Sequence, residues 1–108
     1  MRQSDYTDGT IQIRTPRGME SAGGAKIDPT GTFAITRLAA DWYAVTHLRT
    51  GLSLGQYVRR ANAYRIVKLA IASGVDWTQE SDYYRTLAET GDATYAAFIV
   101  AAREEMAR

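Results

Sequence analysis

Cysteine is absent from this 108-residue sequence, which excludes disulfide bonds and thiolate chemistry. Histidine occurs once, as His47, so no second imidazole is present to share a metal ion. No serine stands in the turn context of a hydrolase nucleophile, and Gly23-Gly24 lacks the lysine and the serine or threonine of a phosphate-binding loop. These absences predict a protein that catalyses no reaction and requires no cofactor or metal ion.

Long apolar runs are missing as well. The longest comprises residues 96–102, whereas a transmembrane helix needs about 20 apolar residues. The first ten residues, MRQSDYTDGT, lack the apolar core of a secretory signal. The sequence therefore predicts a cytoplasmic protein that has no membrane as a partner.

Acidic residues are absent from one long stretch, between Asp41 and Asp76. Thirteen Lys and Arg against 12 Asp and Glu give a formal charge of +1, so net charge alone draws the chain to neither nucleic acid nor anionic lipid. The charges are nevertheless segregated. Seven basic residues lie in 26–75 (Lys26, Arg37, Arg49, Arg59, Arg60, Arg65 and Lys68) and seven acidic residues in 76–108 (Asp76, Glu80, Asp82, Glu89, Asp92, Glu104 and Glu105).

The length and the 45% share of apolar residues predict a single domain spanning residues 1–108. Residues 1–9 are polar and should fray. Residues 17–32 contain four of the nine glycines and few large apolar groups, which predicts a flexible loop. Between these segments, the alternation in TIQIRT (residues 10–15) predicts a short additional strand.

Residues 33–54 carry the pattern of an antiparallel three-stranded meander. Apolar residues alternate from Phe33 to Leu38 and from Trp42 to Leu48, and Gly51 is suited to a tight turn before a third strand at residues 52–54. The fold class is therefore predicted to be α+β. Trp42, Val45, Ile66, Leu69, Phe98 and Ile99 are the predicted core.

A helix from Tyr57 to Ser73, ended by Gly74, is expected to cover the sheet. Two shorter helices should follow. Asp76 or Thr78 is the predicted N-cap of the first and Asp92 that of the second. Both helices are expected to pack against the same core.

The strongest functional signal is a basic stripe at helical spacing. Arg60, Tyr64 and Lys68 recur every four residues, flanked by Arg65, opposite the apolar face of the helix. These four residues are the predicted partner-binding surface, in which the cations contact anionic groups and Tyr64 stacks or packs. The alternative interpretation is an ordinary solvated helix face.

Two other sets of residues have a structural and a functional interpretation. His47 could transfer protons near neutral pH, but it lacks catalytic partners in the sequence, which favours a structural role. The acids Glu80, Asp82 and Glu89 form an alternative binding surface that would meet a basic groove by imitating nucleic acid. Solvated helix faces and helix caps are the simpler interpretation of those acids.

The run WYAVTHLRTGLSLG, followed by a basic helix and SGVDW, resembles small proteins of bacteriophages and prophages. This resemblance covers residues 33–77. It implies a non-enzymatic inhibitor of host machinery, such as an anti-CRISPR protein that binds a CRISPR effector in the host cytoplasm and thereby evades host defence. The expected contact is a protein–protein interaction, and the sequence leaves a monomer and a homodimer open.

Three antiparallel strands followed by a helix also resemble the sheet-based DNA-binding modules of phage integrases and, more distantly, double-stranded-RNA-binding domains. This second resemblance implies a small DNA- or RNA-binding protein that uses either the sheet or the basic middle helix. The sheet residues that would then contact nucleic acid are Arg37, Tyr43, His47 and Arg49.

Overall fold

The computed structural model describes all 108 residues, which form one antiparallel sheet and three helices. The strands are β1 (Thr7–Thr15), β2 (Gly18–Ile27), β3 (Phe33–Ala39), β4 (Trp42–His47) and β5 (Ser53–Val58). The helices are α1 (Arg60–Ala72), α2 (Ser81–Thr90) and α3 (Ala93–Met106), and a 3₁₀ turn (Gln3–Asp5) precedes β1. The predicted α+β class is confirmed. The sheet is a five-stranded meander in chain order, larger than the three strands and one additional strand predicted.

Strand β2 lies within the segment 17–32 that the sequence predicted to be a loop. It pairs with β1 along the whole hairpin, and the register shifts between Gly9 and Ile11. At that point Gly23 and Gly24 stand opposite a single residue of β1, and Gly24 has φ of +67°. The glycines thus form a β-bulge inside a strand rather than ending it, so the loop prediction was wrong. The flexibility of this segment and of residues 1–9 stays a prediction.

Asp28 organises the turn between β2 and β3. Its buried carboxylate accepts hydrogen bonds from the backbone N–H groups of Thr30 (2.7 Å), Thr32 (3.1 Å) and Phe33 (2.6 Å). These bonds satisfy the oxygens of a carboxylate that would otherwise be costly to bury. The turn is therefore fixed by one side chain immediately before the first core strand.

Strand β5 continues to Val58, so α1 begins at Arg60 and not at Tyr57 as predicted. Val58 pairs with Tyr43 whereas Gly55 pairs with Val45, which leaves one extra residue on β5. Within this bulge Tyr57 adopts φ of 55°, a left-handed conformation that no other non-glycine residue of the chain has. This left-handed conformation is incompatible with a right-handed helix at Tyr57 and so prevents α1 from starting there.

The main core lies between one face of the sheet and helices α1 and α3. It includes three residues predicted to be buried, Val45, Ile66 and Phe98, and those predictions are confirmed. Leu69 and Ile99 pack at its edge and are half-buried. The prediction for Trp42 was wrong, because its side chain is 39% exposed at the start of β4. A smaller cluster of Ile11, Ala25 and Ala34 forms a separate core in the sheet.

The helix ends follow local capping chemistry. Gly74 (φ +82°) follows α1 and Gly91 (φ +68°) ends α2, both as predicted. Asp92 accepts a hydrogen bond from the N–H of Tyr95 at 3.0 Å, which confirms it as the N-cap of α3. The N-cap position of α2 is Glu80 rather than Asp76 or Thr78, because the Asp76 carboxylate instead binds within the preceding turn. None of the three helices has the length and apolar character needed to span a membrane.

Candidate binding surface at the start of helix α1

The start of α1 is strongly electropositive. Arg59 occupies the N-cap position without a side-chain capping bond, and Arg60 is the first helical residue. No acidic residue lies in the first turn. The helix macrodipole is positive at this end, so cations here are unfavourable and an anion is favoured. The sequence has therefore placed two arginines where a stable isolated helix would carry an acid or a capping side chain.

The structure separates the four residues of the predicted basic stripe. Arg60, Arg65 and Lys68 are exposed, as predicted. Tyr64 is only 7% exposed and belongs to the core, so the prediction of an exposed Tyr64 was wrong. The reason is the N-terminal segment, which crosses α1 and places the ring of Tyr6 edge-on to Tyr64 with 4.8 Å between centroids.

The three cations of the stripe differ in their partners. The guanidinium of Arg65 lies 3.8 Å from the carboxylate of Glu105 on α3, which partly neutralises it. Arg60 lies over the ring of Tyr64 at 5.9 Å, and Lys68 forms no ion pair. Lys68 and Arg65 also line a cavity of 270 Å³ together with Arg2 from the N-terminal segment. The cationic surface of α1 therefore extends to the N-terminus of the chain.

An Arg–Trp pair adjoins this surface. The guanidinium carbon of Arg59 lies 4.9 Å from the centroid of the Trp42 ring, within the range of a cation–π contact. The contact joins the start of β4 to the residue before α1, and it holds both side chains at the surface. Sequence reasoning missed the pair because Trp42 fitted the alternating pattern of a core strand.

Tyr57 is the second feature that the sequence did not reveal. Its left-handed backbone costs about 1–2 kcal/mol for a residue with a side chain. Nothing in the core compensates this cost, because the side chain is 64% exposed. Backbone strain that persists at an exposed aromatic residue is typical of a functional position. Tyr57 lies two residues before Arg59 in the chain, and we include its exposed side chain in the candidate surface.

The cations of this region are largely free of acidic partners. The side chains of Arg2, Arg37, Arg59, Arg60 and Lys68 form none of the six ion pairs of the protein. Asp41, in the turn before Trp42, is exposed and also unpaired. We call the surface formed by Arg37, Trp42, Tyr57, Arg59, Arg60, Arg65 and Lys68 the basic surface.

Of the four sheet residues suggested by the DNA-binding resemblance, only two approach α1. Arg37 and Tyr43 are cross-strand partners, and both line a cavity of 180 Å³ with Arg60. His47 is buried, and Arg49 instead forms an ion pair with Glu80 at 2.8 Å. The structure therefore merges Arg37 and Tyr43 with the start of the helix and separates them from His47 and Arg49.

His47 lies in an aromatic cluster with Phe33, Trp77 and Tyr84. Its Nε2 lies 2.8 Å from the carbonyl oxygen of Trp77, so Nε2 is the protonated nitrogen and donates this bond. Nδ1 then accepts from the hydroxyl of Thr50 at 2.7 Å. Burial lowers the pKa of His47, which favours the neutral ring. Both ring nitrogens of His47 thus form hydrogen bonds within the protein, which agrees with a structural role.

The alternative acidic surface on α2 is partly neutralised. Glu80 pairs with Arg49, and Asp82 forms an ion pair with Arg85 one turn later. Glu89 is exposed and unpaired. Nearby, hydrogen bonds from the side chains of Thr78 and Gln79 lower the pKa of Asp76 to about 2. Two of the three acids are thus paired with arginines, whereas Arg65 is the one cation of the basic surface that forms an ion pair.

The largest cavity, of 590 Å³, lies between β5 and helices α2 and α3. Trp77 and Tyr84 border it, but their polar atoms are engaged: the indole N–H donates to the backbone carbonyl of Ala70, and the Tyr84 hydroxyl donates to the backbone carbonyl of Asp76. No group of three or more His, Asp or Glu side chains is placed to hold a metal ion. The cavity offers a ligand mainly apolar contacts, with Arg103 as the cation at its border.

Comparisons with known proteins add no relative. A scan against protein-family models, a search of curated proteins and a search of solved structures each returned no match. The functional interpretation therefore depends on the residues and geometry of this chain.

Proposed function

We propose that this protein is a non-enzymatic, phage-derived inhibitor that binds a host protein complex through the basic surface. The observation that carries the proposal is the concentration of unpaired cations at the uncapped, positive end of α1. A folded chain gains stability by placing acids there, so the arrangement is better suited to binding an anionic partner than to folding alone.

The composition of the basic surface supports a protein partner. Trp, Tyr and Arg are the residue types enriched at the energetic centres of protein interfaces. Trp42, Tyr57 and Arg59 supply one of each, and all three are exposed. The stacking of Arg59 on Trp42 restricts both side chains before binding, which lowers the entropy lost on association.

The resemblance to small phage proteins supplies the class of target. Phage inhibitors of host defence work by occupying an assembly or nucleic-acid-binding surface, and a CRISPR effector is the proposed example. Inhibition by occupation requires a binding surface and no active site. The unpaired cations and exposed aromatic side chains can form such a surface.

A small DNA- or RNA-binding protein is the second candidate function. It is favoured by the convergence of Arg37, Tyr43 and Arg60 at one end of the sheet. Cations combined with aromatic side chains are the features by which proteins bind single-stranded nucleic acid. In this case the phosphate backbone rather than a protein surface would supply the negative charge.

A pull-down from a nuclease-treated bacterial lysate separates the two functions. A protein target remains bound after nuclease treatment, whereas a partner bridged by nucleic acid is lost. The CRISPR proposal is tested by expressing the protein in a bacterium whose CRISPR system targets a phage and measuring the efficiency of plating. Restored plating is expected. Unchanged plating with an abundantly expressed, folded protein would contradict inhibition of that system.

A further inference from the structure

The cavity between β5 and helices α2 and α3 is large enough for a small molecule. Its volume of 590 Å³ falls within the range of small-molecule pockets, about 300–1,000 Å³. Most of its lining is apolar and includes Leu52, Leu54, Ile99 and Met106. No residue of the basic surface lines it. The cavity is therefore a separate feature of the protein, in which a ligand would be bound mainly by apolar contacts.

Three aromatic rings lie together in the lining of this cavity. The rings of Trp77 and Tyr84 are stacked with 5.3 Å between centroids, and Tyr84 is stacked with Tyr95 at 6.3 Å. Tyr84 is buried, but Trp77 and Tyr95 are only half-buried and so have ring area left for a ligand. Aromatic rings pack well against one another in stacked or edge-to-face arrangements. The lining thus favours a ligand that contains an aromatic ring.

Arg103 is the one cation of the lining, and no acidic residue lines the cavity. Arg103 takes part in none of the six ion pairs of the protein, so its guanidinium is available to an anionic ligand. Burial raises the pKa of the Tyr95 hydroxyl and lowers the pKa of His47, so these two lining groups are neutral near pH 7. The cavity therefore carries a single positive charge, which complements a ligand with one carboxylate.

The spacing along α3 separates this cation from the aromatic rings. Tyr95, Ile99 and Arg103 recur every four residues on one side of the helix, and all three line the cavity. Eight residues at about 1.5 Å each place the backbone of Arg103 about 12 Å along the helix axis from that of Tyr95. A ring beside Tyr95 and a carboxylate at Arg103 would therefore be joined by an apolar linker that passes Ile99.

We propose that this cavity binds an arylalkanoate, a molecule in which a short hydrocarbon chain joins an aromatic ring to a carboxylate. The ring packs against Trp77 and Tyr95, the chain contacts Ile99, and Arg103 binds the carboxylate. A guanidinium group offers paired N–H donors in one plane, which match the two carboxylate oxygens. The site goes beyond the proposed function, because it shares no residue with the basic surface.

The direct test is titration of ¹⁵N-labelled protein with γ-phenylbutyrate at constant ionic strength. The two tryptophans give an internal comparison, because Trp77 borders the cavity whereas Trp42 lies on the basic surface. We expect saturable shifts of the Trp77 indole N–H and of the amides of residues 95–106, with the Trp42 indole N–H unchanged. Shifts that do not saturate, or that centre on Trp42, would overturn the site.

A pair of ligands that differ only in charge tests the role of Arg103. Arg103→Gln should weaken the binding of γ-phenylbutyrate about tenfold, because a charge-assisted contact is lost. It should leave the binding of the neutral γ-phenylbutyramide unchanged. Arg103 is exposed, so this variant should keep the parent fold. Arg17→Gln, which removes an exposed cation in the turn between β1 and β2, is the matched control and should bind both ligands as the parent does. Equal weakening of both ligands by Arg103→Gln, or of γ-phenylbutyrate by both variants, would contradict the assignment of the carboxylate to Arg103.

Octanoate tests the need for an aromatic ring, since it has a carboxylate and a hydrocarbon chain but no ring. We expect octanoate to bind more weakly than γ-phenylbutyrate, and equal or tighter binding would contradict the proposed ligand class. If γ-phenylbutyrate fails to bind while the same protein captures its target, the cavity assignment is wrong and the proposed function stands. If γ-phenylbutyrate binds as described but no protein target is captured, the cavity assignment stands and the proposed function is wrong.

Discussion

The ring of His47 is joined to the backbone of Trp77, thirty positions later in the chain, by a hydrogen bond of 2.8 Å from Nε2 to the Trp77 carbonyl. This bond ties the end of β4 to the segment between α1 and α2, within an aromatic cluster that includes Phe33, Tyr84 and Phe98. His47, the only histidine, thus joins the sheet to the helical layer. Its protonation state should therefore affect the stability of the fold.

We predict that stability falls as the pH is lowered from about 7.5 to 5.5. The pKa of His47 is lowered in the folded state, chiefly by burial and also by the charge of Arg49, although the Trp77 carbonyl and Glu80 oppose this. Below the ordinary histidine pKa, about 6.5, the unfolded chain binds a proton that the folded chain does not. Urea denaturation of the parent and of His47→Gln at several pH values measures the effect. A parent midpoint that does not fall in this window, or a variant with the same pH dependence, would contradict the prediction.

Core truncation on α1 should distinguish its buried side from its exposed side. Ile66 is fully buried, so Ile66→Ala should lower the free energy of unfolding by about 2–5 kcal/mol. Leu69 is half-buried, so Leu69→Ala should lower the free energy of unfolding by less than Ile66→Ala. Ile71, 38% exposed, is the control on the same helix, and Ile71→Ala should change stability by about 0.5 kcal/mol or less. Chemical denaturation gives these values, and equal effects at Ile66 and Ile71 would be incompatible with the packing described.

Replacing Tyr57 with glycine should stabilise the fold by up to about 1 kcal/mol and weaken target binding. Glycine adopts the left-handed conformation of this β-bulge without strain, although it also gives the unfolded chain more freedom. The lost aromatic side chain is a predicted contact. Thermal denaturation and a binding assay on the same samples test both effects, with Tyr83→Gly on α2 as a comparison at an exposed tyrosine of ordinary helical backbone. A less stable Tyr57→Gly would show that the side chain supports the fold.

The fold class could be predicted from the sequence because strands β3 and β4 alternate clearly and α1 has a strong apolar face. Strand β2 could not be predicted, because Gly23 and Gly24 form a β-bulge within it. A glycine pair in a bulge has the same local sequence pattern as a glycine pair in a loop. The start of α1 was also misplaced, since nothing in the residue type of Tyr57 indicates a left-handed backbone. Both differences arise where pairing between strands overrides local preference.

The candidate site was only partly visible in the sequence. Helical spacing correctly predicted that Arg60, Arg65 and Lys68 are exposed. It could not show that the N-terminal segment covers Tyr64. The contact of Arg59 with Trp42 and the approach of Arg37 to Arg60 depend on how β3, β4 and α1 meet. Such contacts between distant elements leave no periodic signal in the sequence.

If the acidic surface of α2 were the binding site, neutralising it would have the larger effect. The triple change Glu80→Gln, Asp82→Asn and Glu89→Gln removes its negative charges while keeping side-chain size. We expect this variant to capture the target as the parent does, because we propose that the binding contacts lie on the basic surface. Loss of capture with a retained circular dichroism spectrum would transfer the proposed site to α2.

The proposed function requires the basic surface to bind the target through charge. The most direct measurement compares target capture from nuclease-treated lysate by the parent and by the double variant Arg60→Glu, Lys68→Glu, at low and high salt. Arg17→Glu, Arg103→Glu is the control, with the same change in net charge at exposed positions elsewhere. We expect the Arg60→Glu, Lys68→Glu variant to lose capture at low salt, with a smaller difference at high salt because exposed charges are screened over about 8–10 Å. Its thermal stability should remain close to that of the parent. Capture equal to the parent at low ionic strength would contradict the claim and leave the stripe as a solvated helix face.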